Sequence, residues 1–449
     1  MKRPNTLSWI AVAVFLVGVA YDLGLQALNR SYARDGVYFH PWSSEVMMQT
    51  VPIEDLRLEP LTTLAYIHIQ PPGFDFIRAA LAQLWPALEI HEVLKRVDAG
   101  IYVLYALLFG IMGSLVFLWI AHRGGVVLGL LGAALLYVHP AMAYYATFLD
   151  STFLSALLIL WLYFLLWRLK QGHPVPGILL AAAFLALFFT RSIFQWPSLL
   201  VLALALFLLG LPRKQLLIFL LVSLSISGLF LAKQLRLFHT FSTTTFTGYN
   251  LAHSIGVGPD AATYSAYLPE QQNVTATYGK LPSVLVRKTK LDGLRNFNNI
   301  AYLELNAQLL EEYKSKLLTM PVGELARTYA ENVAIYFQPS TEYRDSNVIV
   351  ERLPWKKPYN AVFSAPVLPV LLAAALLIGL LDAIQSRSLK PALGFALPAV
   401  YIFLSSVLFE KSENMRFKFW LEPVMYVLIF SQLLLLARWA ERRLRRRIL

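Results

Sequence analysis

The sequence predicts an all-α polytopic membrane protein with about ten transmembrane helices, interfacial helices in a first outer loop and a helical cap in a second. Three observations carry this. The 449 residues are 57% hydrophobic, too apolar for a soluble chain to coat its own surface. The apolar residues gather into runs close to the ~20 residues that a helix needs to cross a bilayer. Lys and Arg fall between alternate runs, as the positive-inside rule requires.

The runs are 7–27, 99–121, 125–143, 151–168, 177–191, 193–211, 215–235, 361–384, 391–408 and 420–437. No small-residue cleavage site follows the first, so it reads as a retained helix and not as a signal peptide. With Lys2 and Arg3 cytoplasmic, the inner turns hold Arg123, Arg168, Lys170, Arg213, Lys214, Arg387 and Lys390. The tail adds Arg438, Arg442, Arg443, Arg445, Arg446 and Arg447, against Glu441, with Asp382 at a helix end. The outer loops are nearly balanced, with 6 Lys/Arg to 9 Asp/Glu over 29–98 and 12 to 11 over 238–360. The net charge of +12 therefore sits on the inner face. It calls for no nucleic acid, and the tail is expected to touch anionic lipid head groups. The chain has no cysteine, which excludes disulfides and thiolate metal sites.

The chain divides into 1–237, an N-terminal membrane module with the first outer loop (29–98); 238–360, the cap; and 361–449, the last membrane helices and basic tail. In the first loop Phe74, Ile77, Leu81, Leu84 and Leu88 recur at spacings of 3 and 4. This is one helical stripe, expected to face lipid with Asp75, Arg78 and Gln83 off it. Pro71-Pro72 starts this helix and Pro86 perturbs its end. The second loop is too long for a plain connector. It predicts helices near 300–318 and 322–337, parted by Met320-Pro321. Asn273-Val274-Thr275 is a glycosylation sequon, meaningful only in a secretory-pathway host.

Ionisable groups at membrane depth are costly and mark candidate sites. Asp22, Asp150, Arg191 and the group Glu410, Lys411, Glu413, Arg416, Lys418 and Glu422 all gather towards the outer side. Asp22 and Asp150 read equally well as helix-end residues, Arg191 as a snorkelling arginine, and His139 before Pro140 as a turn residue. Glu54, Asp55 and Glu59 read as a solvated loop face. Glu45 follows Pro41-Trp42-Ser43-Ser44 at a predicted helix start.

Four features in this order resemble the GT-C superfamily of integral-membrane glycosyltransferases, in the style of the protein mannosyltransferases and lipid A aminoarabinose transferases. An acidic residue follows the first membrane segment, here Glu45 in S-S-E-V-M-M. A Pro-Pro turn precedes an interfacial helix, here H-I-Q-P-P-G-F-D-F-I-R. An arginine before a small residue ends a middle helix, here T-R-S. A late loop carries E-x-x-R followed by a proline-started helix, here S-E-N-M-R-F-K-F-W-L-E-P-V-M-Y-V. The chain departs from the family in having Ser44-Glu45 where an Asp or Asp-Glu pair is usual. It has Gln70 where Lys or His precedes the prolines, and it has no large soluble C-terminal domain.

The resemblance implies transfer of a sugar from a polyprenyl-phosphate donor to a hydroxyl of a lipid, glycan or protein acceptor. It implies an outward site in a bacterial inner membrane, with inversion at the anomeric centre. Such transfer needs one base and a cationic clamp for the departing phosphate. Glu45 is the expected base, with Asp55 behind it. Arg191 and Arg416, then His68 and Lys411, are the expected phosphate contacts, and Gln70, Tyr249 and Asn250 the expected substrate contacts. No cofactor or metal is expected. A ligase using a lipid-diphosphate donor, a transporter or flippase, and a non-catalytic assembly factor stay open.

Overall fold

The computed structural model describes residues 6–34, 43–259, 263–264, 281–343, 353–385, 389–411 and 413–448. Lys2, Arg3, Pro41, Trp42, Arg387 and the sequon 273–275 lie outside them, as do the side chains of Asp382 and the tail arginines. Among the described residues there is no strand, only an isolated bridge between Thr289 and Arg295.

The helices in chain order begin with α1 (Thr6–Arg34), then α5 (Ile90–Gly124) after three short helices, α2 (Ile53–Leu58), α3 (Pro60–Ala65) and α4 (Gly73–Ala82). They continue as α6 (Val126–Tyr137), α7 (Pro140–Ala146), α8 (Ser151–Lys170), α9 (Gly177–Thr190), α10 (Trp196–Leu208) and α11 (Arg213–Phe238). The second loop holds α12 (Thr247–Ser254), α13 (Ser283–Val286), α14 (Ala301–Thr319) and α15 (Val322–Tyr336). The chain ends in α16 (Lys356–Val362), α17 (Val367–Gln385), α18 (Leu389–Phe409) and α19 (Asn414–Ile448).

Among the described residues, five helices are long and apolar enough to cross a membrane, or up to seven if each bent pair is one span. The expected spans 125–143 and 361–384 fall on the two bent pairs, α6–α7 and α16–α17. Two others fall on α9 and α10, of only 14 and 13 residues. At 1.5 Å per residue these reach about 20 Å, short of the ~30 Å hydrocarbon layer. The last expected span lies within α19, whose side chains are described only as far as Ser431.

Two breaks follow from single residues. Gly125 joins α5 to α6 at a φ of 88°, a conformation glycine adopts without strain. Pro140 lacks an N–H and pushes His139 into an extended conformation, φ −67° and ψ 119°, so α6 and α7 meet at 57°. Close packing also rests on glycine. A Cβ at Gly110 would come 2.6 Å from the Phe15 carbonyl oxygen, so α1 lies directly on the α5 backbone, as small residues allow in membrane bundles.

The loop end of the bundle carries α2–α4 and α12–α15. The helices α14 and α15 coincide with the two expected in this loop and part at Met320-Pro321. Here Phe246, Tyr249, Tyr264, Phe297 and Tyr302 form a separate aromatic core, and Ile69 of the first loop enters it. The reading of α4 needs correction. Phe74 is buried together with Asp75 and Arg78, while Phe76 and Leu84 are exposed. The charged face turns inward because its charges are paired, which periodicity alone does not reveal.

Replacing Gly110 with Val would force α1 off α5. A loss of about 1–3 kcal/mol is expected, read as a lowered thermal unfolding midpoint of the detergent-purified protein; an unchanged midpoint would contradict this packing.

Candidate functional site

Two polar networks occupy the loop end of the bundle. The first centres on Arg78, which is fully buried. Its Nη2 pairs with Glu45 and its Nη1 with Asp75 at 2.6 Å. Nη1 also donates to the Val51 carbonyl at 2.7 Å, and Nε to Ser44 Oγ at 3.1 Å. Glu45 further accepts from Ile53 N–H on both oxygens at 3.2 Å. Gln70 donates to Asp75 Oδ2 at 2.9 Å. Ser44 donates to Asp98 Oδ1 through its N–H at 3.1 Å and its hydroxyl at 2.6 Å. Lys290 closes this network from the second loop, donating to Met47 O, Thr50 O and Thr50 Oγ1 at 2.7, 3.0 and 3.2 Å. Burial pushes its ammonium down to about 8.

The second network forms where α8, α9 and α19 meet. Asp150 caps α8 by accepting from Thr152 N–H at 2.7 Å. Its Oδ2 faces Arg191 Nη2 at 3.4 Å and Arg416 Nη1 at 3.5 Å. Arg191 also donates to Thr152 Oγ1 and to Ser155 Oγ, the latter at 3.2 Å, and its guanidinium lies 4.8 Å from the Trp420 ring centre. Arg416 pairs with Glu413 at 2.5 Å and donates to the Tyr343 hydroxyl at 3.0 Å. Its Nε is buried with no hydrogen-bond partner among the described residues. Burial, with Glu413 beside it, holds the neighbouring Glu410 well above the usual carboxylate range. Tyr105 donates its hydroxyl to the Asp150 carbonyl.

The first loop lies against α9, whose end carries Arg191. A Cβ at Gly73, in the Pro-Pro-Gly turn, would lie 2.5 Å from the Phe189 carbonyl oxygen, two residues before Arg191. The turn thus sits on the C-terminal end of α9.

The expected site residues divide accordingly. Arg191 and Arg416 come together on one carboxylate. Among the described residues no hydrogen bond or ion pair joins Glu45 to either, and Glu45 is committed to Arg78 and Ile53. Asp55, read as part of a solvated face, is buried and pairs with Arg287 at 3.2 Å, while Glu54 takes the same arginine at 2.6 Å. Both ring nitrogens of buried His68 are occupied, by Thr245 Oγ1 at 2.8 Å and the Asn298 carbonyl at 3.0 Å. His68 therefore ties the first loop to the second. Gln70 is buried against Asp75. Tyr249 is buried in the cap core, and Asn250 beside it is half-buried. Lys411 stands at the edge, 30% exposed and 3.9 Å from Glu331. His139, read as a turn residue, is buried 3.7 Å from Glu422, which also faces Lys418 at 3.6 Å. Arg78 and Asp98 were not singled out in the sequence; Arg78 sits at 0% exposure, which polarity patterns do not signal.

No group of three or more His, Asp or Glu among the described residues is placed to hold a metal ion. No family model, curated protein or solved structure matches this chain.

Replacing Arg78 with Met leaves Glu45 and Asp75 buried without their cation. A loss of about 3–5 kcal/mol is expected, measured by thermal or denaturant unfolding. Acid tests His68. Burial holds it down at about 4, below the ~6.5 of the unfolded chain. Above pH 6.5 it is neutral in both states and contributes nothing to the slope. As pH falls from 6.5 to 4 only the unfolded chain gains the proton, so up to about 3 kcal/mol is lost. The variant His68→Gln should show a shallower fall across that window.

Proposed function

We propose that this protein is a glycosyltransferase of the GT-C type. On this reading it moves a sugar from a polyprenyl-phosphate donor to an acceptor hydroxyl. The site opens on the non-cytoplasmic face of a bacterial inner membrane crossed by about ten segments, with both chain ends cytoplasmic and the basic tail on anionic lipid.

The observation that carries this reading is the convergence of Arg191 and Arg416, from chain segments 225 positions apart, on the single oxygen Asp150 Oδ2 at 3.4 and 3.5 Å. Those separations are long for charge-assisted hydrogen bonds, which lie near 2.7–2.9 Å. Arg416 in addition holds a buried, unused Nε donor. A phosphate offers more acceptor oxygens than one carboxylate and can take up both guanidiniums. Glu413, 29% exposed and bonded to Arg416 at 2.5 Å, is the carboxylate that an entering phosphate displaces. The arginines then hold the charge that builds on the phosphate as the bond to the anomeric carbon breaks, and this lowers the barrier electrostatically. Glu45 serves the first loop's architecture through Arg78.

The test is incubation of purified protein with a panel of polyprenyl-phosphate sugars, following release of the lipid phosphate. Arg416→Ala should reduce donor-dependent turnover on the order of 10²–10³-fold with acceptor dependence little changed. Full turnover by this variant, or release of a lipid diphosphate instead, would refute the assignment.

A further inference from the structure

The proposed reaction needs a proton acceptor, and most carboxylates at this end of the bundle are spent. Glu45 and Asp75 are buried and bonded to Arg78. Asp55 is held by Arg287, and Asp150 lies between two arginines. Asp98, in the third turn of α5, differs. It is half-buried, and among the described residues no cation is bonded to it. Its Oδ1 is fixed by the Ser44 N–H and hydroxyl at 3.1 and 2.6 Å. Ser44 is itself fixed, its Oγ accepting from Arg78 Nε at 3.1 Å.

The position of Asp98 connects it to the arginines. Asp98, Tyr102 and Tyr105 stand at i, i+4 and i+7, on one face of α5. That face looks onto the segment ending at Asp150. The Tyr102 hydroxyl is 3.5 Å from the Thr147 carbonyl, and the Tyr105 hydroxyl donates to the Asp150 carbonyl. Seven residues of helix rise place Asp98 about 10 Å along the same face from Tyr105.

We propose that Asp98, oriented by Ser44, is the catalytic base that takes the proton from the acceptor hydroxyl. This rests on the glycosyltransferase reading above. The hydroxyl proton passes to the Asp98 carboxylate as the acceptor oxygen bonds to the anomeric carbon. The bond from that carbon to the phosphate oxygen breaks, its electron pair leaves with the lipid phosphate, and Asp98 later returns the proton to water. Ser44 is a positioning residue in this scheme.

The experiment uses the full-length protein and whichever polyprenyl-phosphate sugar of the panel the wild type consumes. Asp98→Asn keeps an oxygen for Ser44 and loses basicity. Its kcat should fall on the order of 10²–10⁴-fold with the donor KM within a few-fold of wild type. The acidic limb of the kcat/KM profile should disappear, and Asp98→Glu should recover part of the rate. Ser44→Ala covers the case of an unfolded Asn variant; it should lower kcat about tenfold and move the acidic limb. Turnover by Asp98→Asn within about threefold of wild type, or an unmoved limb and full rate in Ser44→Ala, overturns the inference alone. A wild type that consumes no donor overturns the inference together with the reading beneath it.

Discussion

A guanidinium removed from water must find its full set of acceptors inside the protein, and Arg78 is the place where this chain meets that demand. Burying such a cation costs several kcal/mol before any pairing is counted. Arg78 offsets the cost with Glu45, Asp75, the Val51 carbonyl and Ser44. Those partners span residues 44–75, so one side chain sets the path of most of the first loop. Once it is placed, Glu45 can hold the Ile53 N–H, Gln70 can reach Asp75, and Ser44 can present its N–H and hydroxyl to Asp98.

The same rule shapes the neighbouring groups. Arg191 and Arg416 are buried and share Asp150. Lys418 is buried against Glu422, which also accepts from Ser340 at 2.5 Å and from the Tyr359 hydroxyl at 3.0 Å. Asp150 with its two arginines, and Glu422 with Ser340 and Tyr359, join distant segments of the chain, so these contacts fix how the helix ends sit against one another. Buried ion pairs add little net stability compared with well-packed apolar residues. What they supply here is registry, and with it a cluster of ionised groups in a place where such groups are costly to keep.

Much of the helical layout was legible in the sequence. Apolar runs located the long helices, and Met320-Pro321 located the break in the cap, because length and a missing N–H are local properties. The cost of charge near the membrane drew notice to Arg191 and Arg416, and they do meet. Their meeting point was not legible, since Asp150 lies 41 and 266 positions away. The inward turn of α4 is hidden for the same reason: Asp75 and Arg78 look like a wet face until Arg78 is seen to donate to both Asp75 and Glu45. Asp98 gives no signal in the sequence because it stands just before the apolar run 99–121 among other charged residues, and only the fold brings Ser44 to it. The run 193–211 shortens to α10 because Pro197 sits in the first turn of the helix and Gly210, at a φ of 79°, follows its end.

The tie between His68 and Asn298 bears on how this protein is made. The N–H groups of His68 and Ile69 both donate to Asn298 Oδ1, across 230 and 229 positions of chain. A ribosome adding about 5–20 residues per second delivers that acceptor roughly 10–50 s after His68 has left the tunnel. Through that interval the first loop has its backbone donors but no partner for them. The nascent chain must keep the segment hydrated or chaperoned until the cap emerges, and a product stalled before position 298 displays the unsealed loop to quality-control proteases.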